Sequence, residues 1–272
     1  MHWGDIVTTS LLVEVSADKI GNVRPTHRFS DVGPEHFIAS AFAVGAAFER
    51  GTAEGLAFGD TVLSAMEASL AATQGRNVHL GSILALAPLV YGYGPGRPWA
   101  QGVRAVIEGL TLADTDAVFR AIRATRPRWL APGETVADDV YREPTRPLLA
   151  VFASAAGYDW IAREYVRGFA TVLDHWAPSL ARQLERSGDW SEAARRTFYA
   201  MLLSEPDSFW IRKNGWEAAA AQHARVKRAI IAEDWTTLSR LLDDADNRWN
   251  PGTFADLVAA SVLVAWVRRW SA

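Results

Sequence analysis

Five stretches of this 272-residue chain gather polar residues of types that can grip phosphate or move protons. The first, KIGNVRPTHRFSD at 19–31, follows a segment that carries Glu14. Lys19, Arg24 and Arg28 supply cations, Asn22 and Asp31 supply oxygen ligands, and Gly21 permits a close backbone turn. Such a loop can hold a polyphosphate, and a solvated interhelical loop with Asp31 as helix cap also accounts for it. In the second, NVHLGSILALAPL at 77–89, Asn77 and the small Gly81 lie one turn apart before an apolar helix. Exposed amides there would let a phosphate approach the backbone, and an Asn cap is the equally economical reading. His79 has no second His at metal spacing, which leaves it a packing or hydrogen-bonding role.

The third stretch, DWIAREY at 159–165, sets Asp159 and Arg163 at i, i+4, either as an exposed helix pair or as a carboxylate turning an arginine toward phosphate. The fourth, PDSFWIRKNG at 206–215, brings Asp207, Ser208, Arg212 and Lys213 around an aromatic pair. Ser208 and Arg212 share a helix face, whereas adjacent Arg212 and Lys213 must diverge. The fifth, NPGTFADL at 250–257, reads mainly as a turn into a final helix.

Other chemistry is excluded. The chain has no cysteine, which removes disulfides, thiolate nucleophiles and sulfur-bound metals. It contains no GxxxxGK[ST], GxGxxG, HExxH or GxSxG signature, so standard nucleotide folds and serine or zinc hydrolases lose support. The balance of 28 basic and 31 acidic residues gives a net charge of −3, without the basic excess that binding to a nucleic-acid backbone needs. The first ten residues lack the basic-then-apolar layout of a secretory signal, and the most apolar stretch, 254–267, is shorter than a bilayer span. The expectation is a cytoplasmic protein with no membrane or nucleic-acid partner.

The elements that must position these residues are helices. Ala-rich segments with apolar residues at three- and four-residue spacing dominate, sustained alternation is nearly absent, and the predicted fold is all-α, a single multi-helix domain over 1–272 with its site between helices. Phe37, Ala41, Val44 and Phe48 make one apolar stripe that Pro34 opens and Gly51 is expected to stop. Thr111 with Asp114, and Thr253 with Asp256, resemble capping boxes with Asp in place of Glu. The β-branched run 7–15 also fits a helix face and is read as helix. The stretches 91–98 and 126–145, rich in Gly and Pro, are expected to be loops.

Taken together and in order, the five segments resemble the triphosphoribosyl-dephospho-CoA synthase family. The pattern comprises a Glu, K-x-G-N-V, an Asn-to-Gly helix start before apolar-Pro-Leu, D-x-x-A-R-x-Y, D-S-x-x-x-R-K-x-G and N-P-G-T-x-A-D-L, spread here from Glu14 to Leu257. Two departures stand out: Asn77, Val78, His79, Leu80 and Gly81 replace N-T-H-K-G, and Lys19-Ile20-Gly21 replaces a K-P-G start, as in a shorter subgroup. The resemblance implies an all-helical enzyme that takes ATP as co-substrate and 3′-dephospho-CoA, releases adenine and makes the precursor of a lyase prosthetic group. A related nucleotide-dependent transferase of another coenzyme pathway, such as C1-carrier metabolism, and a non-catalytic nucleotide-binding helical protein are the alternatives.

Roles follow from that reaction. Breaking the bond between adenine and the ribose develops oxocarbenium character, so carboxylates belong near the sugar and an acid near the departing base. Glu14 or Asp159 would be the base that deprotonates the accepting hydroxyl. Lys19, Arg163, Arg212 and Lys213 would neutralise phosphate oxygens, with Asn22, Arg28, Asn77, Gly81 and Ser208 completing the substrate site. Mg²⁺ is expected on Asp31, Asp138 and Asp207; Asp138 and Asp139 also fit a capping role.

Overall fold

The structure is a computed structural model that describes residues 1–125, 140–243 and 247–270. It is helical throughout, and among the described residues no β-strand forms, only one isolated bridge between Arg24 and His27. The first six helices are α1 (Trp3–Ser16), α2 (Pro34–Glu54), α3 (Phe58–Ala72), α4 (Leu80–Gly92), α5 (Trp99–Glu108) and α6 (Leu112–Ala124). After them come α7 (Leu148–Ala155), α8 (Trp160–Arg167), a π-helical turn (Val172–Trp176), α9 (Ala177–Ser187) and α10 (Trp190–Ser204). The last four are α11 (Ser208–Asn214), α12 (Trp216–Ile231), α13 (Trp235–Leu242) and α14 (Gly252–Trp270).

The run 7–15 is helical, as its apolar spacing requires: Val7, Leu11 and Val15 all face the interior. In α2 the stripe Ala41, Val44 and Phe48 is fully buried. Gly51 does not stop this helix, which continues to Glu54 and ends on Gly55 at φ +67°. Gly51 is instead a contact point, because a Cβ there would fall 2.3 Å from Thr61 Oγ1 of α3. The irregular stretch after α4 likewise begins later than expected, since Tyr91 and Gly92 are its last helical residues.

One capping box forms and one does not. Thr111 accepts from the Asp114 amide at 3.2 Å, and Asp114 returns the bond to the Thr111 amide at 2.9 Å, opening α6. Thr253 lies inside α14, and the Asp256 carboxylate turns away to Ser82. The spacing suits a cap, but the chain enters helical geometry one residue before Thr253.

Helix α14 is the central element. Twelve of its residues are buried, and it packs on α1, α4, α9, α10 and α11 within one continuous apolar cluster. Burial of this kind, about 25 cal/mol per Å² of apolar surface, is what holds helices of such weak individual stability in place. Helix α4 contains Pro88, which removes the amide that would bond the Leu84 carbonyl. The Tyr165 hydroxyl of α8 supplies the missing donor at 2.9 Å. This bond fixes α8 against α4 and leaves the starts of both helices on the polar cluster described next.

Candidate active site

The site forms where α1 ends and where α4, α8, α11 and α14 begin. Glu14, in the last turn of α1, is almost wholly buried, and the loop after it folds back so that Lys19 is completely buried. The Lys19 ammonium stands 2.8 Å from Glu14 Oε1, also bonds the Glu14 carbonyl, and lies 5.9 Å from the centre of the Phe198 ring. A charge withdrawn from water this far needs its counter-charge, which makes the pair a single electrostatic unit. Gly21 makes the turn possible at φ +97°, and a Cβ there would meet Pro251 at 2.9 Å. Asn22 donates to Asn250 Oδ1 at 2.7 Å, while its own Oδ1 is buried without a partner. Arg24 clamps both oxygens of Asp243 at 2.9 and 3.0 Å, anchoring the loop to the end of α13.

Asp207, fully buried, is a carboxylate shared by two helix starts. One oxygen accepts the Phe209 amide of α11 and the other the Phe254 amide of α14, each at 2.7 Å. Burial pushes its acid up to about 6, against the pull of those amides and of Arg212. Ser208 accepts from the Trp160 amide at 3.1 Å and donates to Thr253 at 3.0 Å, so one hydroxyl joins α8, α11 and α14. Arg212 reaches the same hydroxyl at 3.2 Å and pairs with Asp159 Oδ2 at 2.6 Å. The other oxygen of Asp159 caps α8 through the Ile161 and Ala162 amides.

Asp256 completes the cluster. Ser82 of α4 donates to its Oδ1 at 2.5 Å, and its Oδ2 occupies the space where a side chain on Gly81 would be: a Cβ there would fall 2.0 Å away. Burial, with repulsion from Glu14 and Asp207 beside it, raises the Asp256 acid to about 8, only partly offset by Ser82 and Arg212. The group is therefore protonated at neutral pH. One carboxylic acid thus sits among ionisable carboxylates, next to a buried lysine and an oriented arginine.

Several residues singled out in the sequence come together here: Glu14, Lys19, Gly81, Asp159, Asp207, Ser208 and Arg212, with Asn22 beside them through Asn250. Others stand apart. Asp159 and Arg163 do not pair; Arg163 stacks on the Trp160 ring at 3.7 Å and grips both oxygens of Glu205, because Asp159 is already committed to Arg212 and the α8 cap. Asn77 caps α4 by accepting the Leu80 amide at 3.2 Å. Lys213 points outward to the Asn247 carbonyl at 2.6 Å, diverging from Arg212 as helical geometry demands. Arg28 is exposed and pairs with Glu35 at 2.6 Å. Asp31 is also exposed and caps nothing, since α2 starts from Gly33.

Of the expected metal set, Asp31 and Asp207 do not come together, the first being exposed and the second fully buried. Among the described residues no group of three or more His, Asp or Glu side chains is arranged to hold an ion, and both Asp207 oxygens are engaged by amides. Asp138 and Asp139 lie outside the described residues. His79 is buried and bonds Ser40 at 2.7 Å, with its edge against Phe37; burial takes its pKa down to about 3, so it is a neutral packing residue. Sequence reasoning missed Asp256 and Ser82. The available signal was a carboxylate standing inside an otherwise apolar final helix, and a hydroxyl beside Gly81 at the head of an apolar run.

The arrangement has relatives. The family model for ATP:dephospho-CoA triphosphoribosyl transferase, CitG, matches residues 2–272. The chain belongs to this family. Among curated members it is 26% identical over 251 residues to "Probable 2-(5''-triphosphoribosyl)-3'-dephosphocoenzyme-A synthase" of Pseudomonas fluorescens, covering 85% of this chain and 78% of that protein. It is 24% identical over 220 residues to the protein so named from Photobacterium profundum, covering 77% of this chain. That match spans 64% of the Photobacterium protein's length. A crystal structure from Archaeoglobus fulgidus, described as a triphosphoribosyl-dephospho-CoA synthase, superposes with a TM-score of 0.68 at 28% identity, covering 86% of this chain and 99% of that one. The CitG-family architecture of this chain is therefore helical both here and in that experimentally determined neighbour, and no helix among its described residues is long and apolar enough to cross a membrane.

Proposed function

We propose that this protein transfers the triphosphoribosyl group of ATP to a ribose hydroxyl of dephospho-CoA and releases adenine. The observation that carries this reading is the buried acid–base cluster at the starts of α4, α8, α11 and α14, in a chain matched from end to end by a family model of that chemistry. Helix starts carry the positive end of the helix dipole, an environment suited to a triphosphate. Lys19 and Arg212 are the cations built into the cluster, and the leucine at position 80 leaves the α4 start without the lysine of the family pattern.

Within this reading the two candidate bases separate. Both Asp159 oxygens are engaged, so Asp159 orients Arg212 and Ser208 toward phosphate oxygens. Glu14 gives one oxygen to Lys19, keeps the other for the accepting hydroxyl, and takes its proton as that oxygen attacks the ribose. The carboxylates around the ribose favour the positive charge that develops as the bond to adenine lengthens. Among the described residues the donor set does not fit a resident Mg²⁺ site; in this reading magnesium enters with the triphosphate as part of the substrate, and no step is assigned to it.

The test is direct. Incubation with ATP, Mg²⁺ and dephospho-CoA should release free adenine and form a product heavier than dephospho-CoA by one triphosphoribosyl unit. Intact ATP and dephospho-CoA after prolonged incubation would overturn the proposal.

A further inference from the structure

The transfer leaves one requirement unmet by Glu14, Lys19 and Arg212: the departing adenine must receive a proton, or it leaves as a poor anionic group. We propose that Asp256 is the acid that supplies this proton, aimed by Ser82 and given its position by the missing side chain of Gly81; the assignment rests on the transferase reading above.

Three observations converge on it. The carboxyl lies in the cluster itself, held through Oδ1 by the Ser82 hydroxyl at 2.5 Å, which leaves Oδ2 to carry the proton. Among the described residues the hydrogen bond found on this carboxyl is the one from Ser82 to Oδ1, and the residue is half-buried rather than sealed. Gly81 admits this placement because a Cβ there would sit 2.0 Å from Oδ2; any larger residue would displace the acid. The surroundings keep it protonated. Burial disfavours its charged form first, Glu14 at the end of α1 and Asp207 before α11 add repulsion, Ser82 of α4 and Arg212 of α11 partly compensate, and the balance holds the acid at about 8. The neighbouring groups are poorly placed for the task. Both Asp207 oxygens accept amides, Tyr165 donates to the Leu84 carbonyl, and His79 is neutral and buried.

The step balances. The bond between adenine N9 and the ribose carbon breaks and its electron pair goes to the ring; the Asp256 proton adds to a ring nitrogen, and neutral adenine leaves. The acceptor oxygen forms the new bond to the ribose carbon and gives its proton to Glu14. The protein is left with an Asp256 carboxylate and a Glu14 carboxylic acid, and return of that proton from Glu14 to Asp256 restores the start.

An ATP analogue methylated at N7 of the base decides the matter, because its base departs neutral without a proton. Asp256→Asn keeps the shape and an acceptor for Ser82. It should lower kcat for adenine release from ATP by about 10²- to 10⁴-fold, leave KM for ATP within a few-fold, and turn over the methylated analogue at close to the wild-type rate. In the unaltered protein, kcat/KM with ATP should fall as pH rises through about 8, and the same limb should be absent with the analogue. That comparison needs no variant and stands even if Asp256→Asn folds poorly. Equal loss on both substrates, full activity of the variant on ATP, or an identical alkaline limb for both would overturn the assignment while leaving the transferase reading intact. Wild-type protein that releases no adenine from ATP would remove both.

Discussion

At the scale of single residues, partners chosen across the fold decide what each group can do. Lys19 and Glu14 illustrate this, since each is buried and each is tolerable only with the other. Lys19→Met should therefore destabilise the protein by about 3–5 kcal/mol, because it strands the carboxylate away from water. Urea denaturation measures it, and a loss under about 1 kcal/mol would mean that the pair is more hydrated than its burial indicates. Tyr165 makes a smaller and cleaner case. Tyr165→Phe should cost about 1–3 kcal/mol by leaving the Leu84 carbonyl unbonded, and most of that cost should vanish when Pro88→Ala restores the helical amide. Purely additive losses in that cycle would contradict the compensation. The sequence made Glu14, Lys19 and Arg212 visible as chemistry-bearing types. It could not show that Asp159 would choose Arg212 over Arg163, four residues away, because that choice depends on α11 arriving 53 positions later.

At the scale of elements, helix starts are the structural device of the site. Asp207 ties the first amides of α11 and α14, so Asp207→Ala should cost about 2 kcal/mol or more, seen as a lowered midpoint in thermal unfolding. The same bonds bear on metal binding. Mg²⁺ alone should leave the thermal midpoint unchanged, whereas Mg²⁺ with ATP should raise it; a rise with Mg²⁺ alone would return Asp207 to the role of ion ligand. Local signals predicted some of these starts well. Thr111 and Asp114 lie at capping spacing and form the box through one carboxylate oxygen, because the Gly59 amide of α3 takes only the other. Thr253 and Asp256 show the same spacing but serve the interior, since Ser208 and Ser82 approach from other helices. Sequence spacing alone cannot separate the two cases. Gly51 is a similar instance: its small size serves the contact with Thr61, not a helix stop.

At the scale of the whole molecule, the helical class was legible from periodicity, because apolar spacing is a local property that burial then enforces. The convergence of residues 14, 82, 159, 207 and 256 was not, because it depends on how α1, α4, α8 and α11 pack around α14. That convergence has a cost for stability. The folded protein holds the Asp256 proton up to about pH 8, whereas the unfolded chain releases it near the ordinary value of 3.8. The unfolded state thus binds fewer protons across this window, and stability falls as pH rises through it. Asp256→Asn should consequently raise the unfolding midpoint relative to wild type at about pH 8.5 and leave it nearly unchanged at about pH 4. A variant less stable than wild type at the alkaline end would show that the carboxyl is kept for packing, not against its own charge.

The most direct measurement pairs two quantities in one reaction: free adenine and triphosphoribosylated dephospho-CoA, followed by chromatography for wild-type protein and for Glu14→Gln. The account predicts one adenine per product molecule in the wild type and a loss of at least about 100-fold in both for the folded variant. Adenine and product formed at the wild-type rate by Glu14→Gln would place the chemistry outside this cluster.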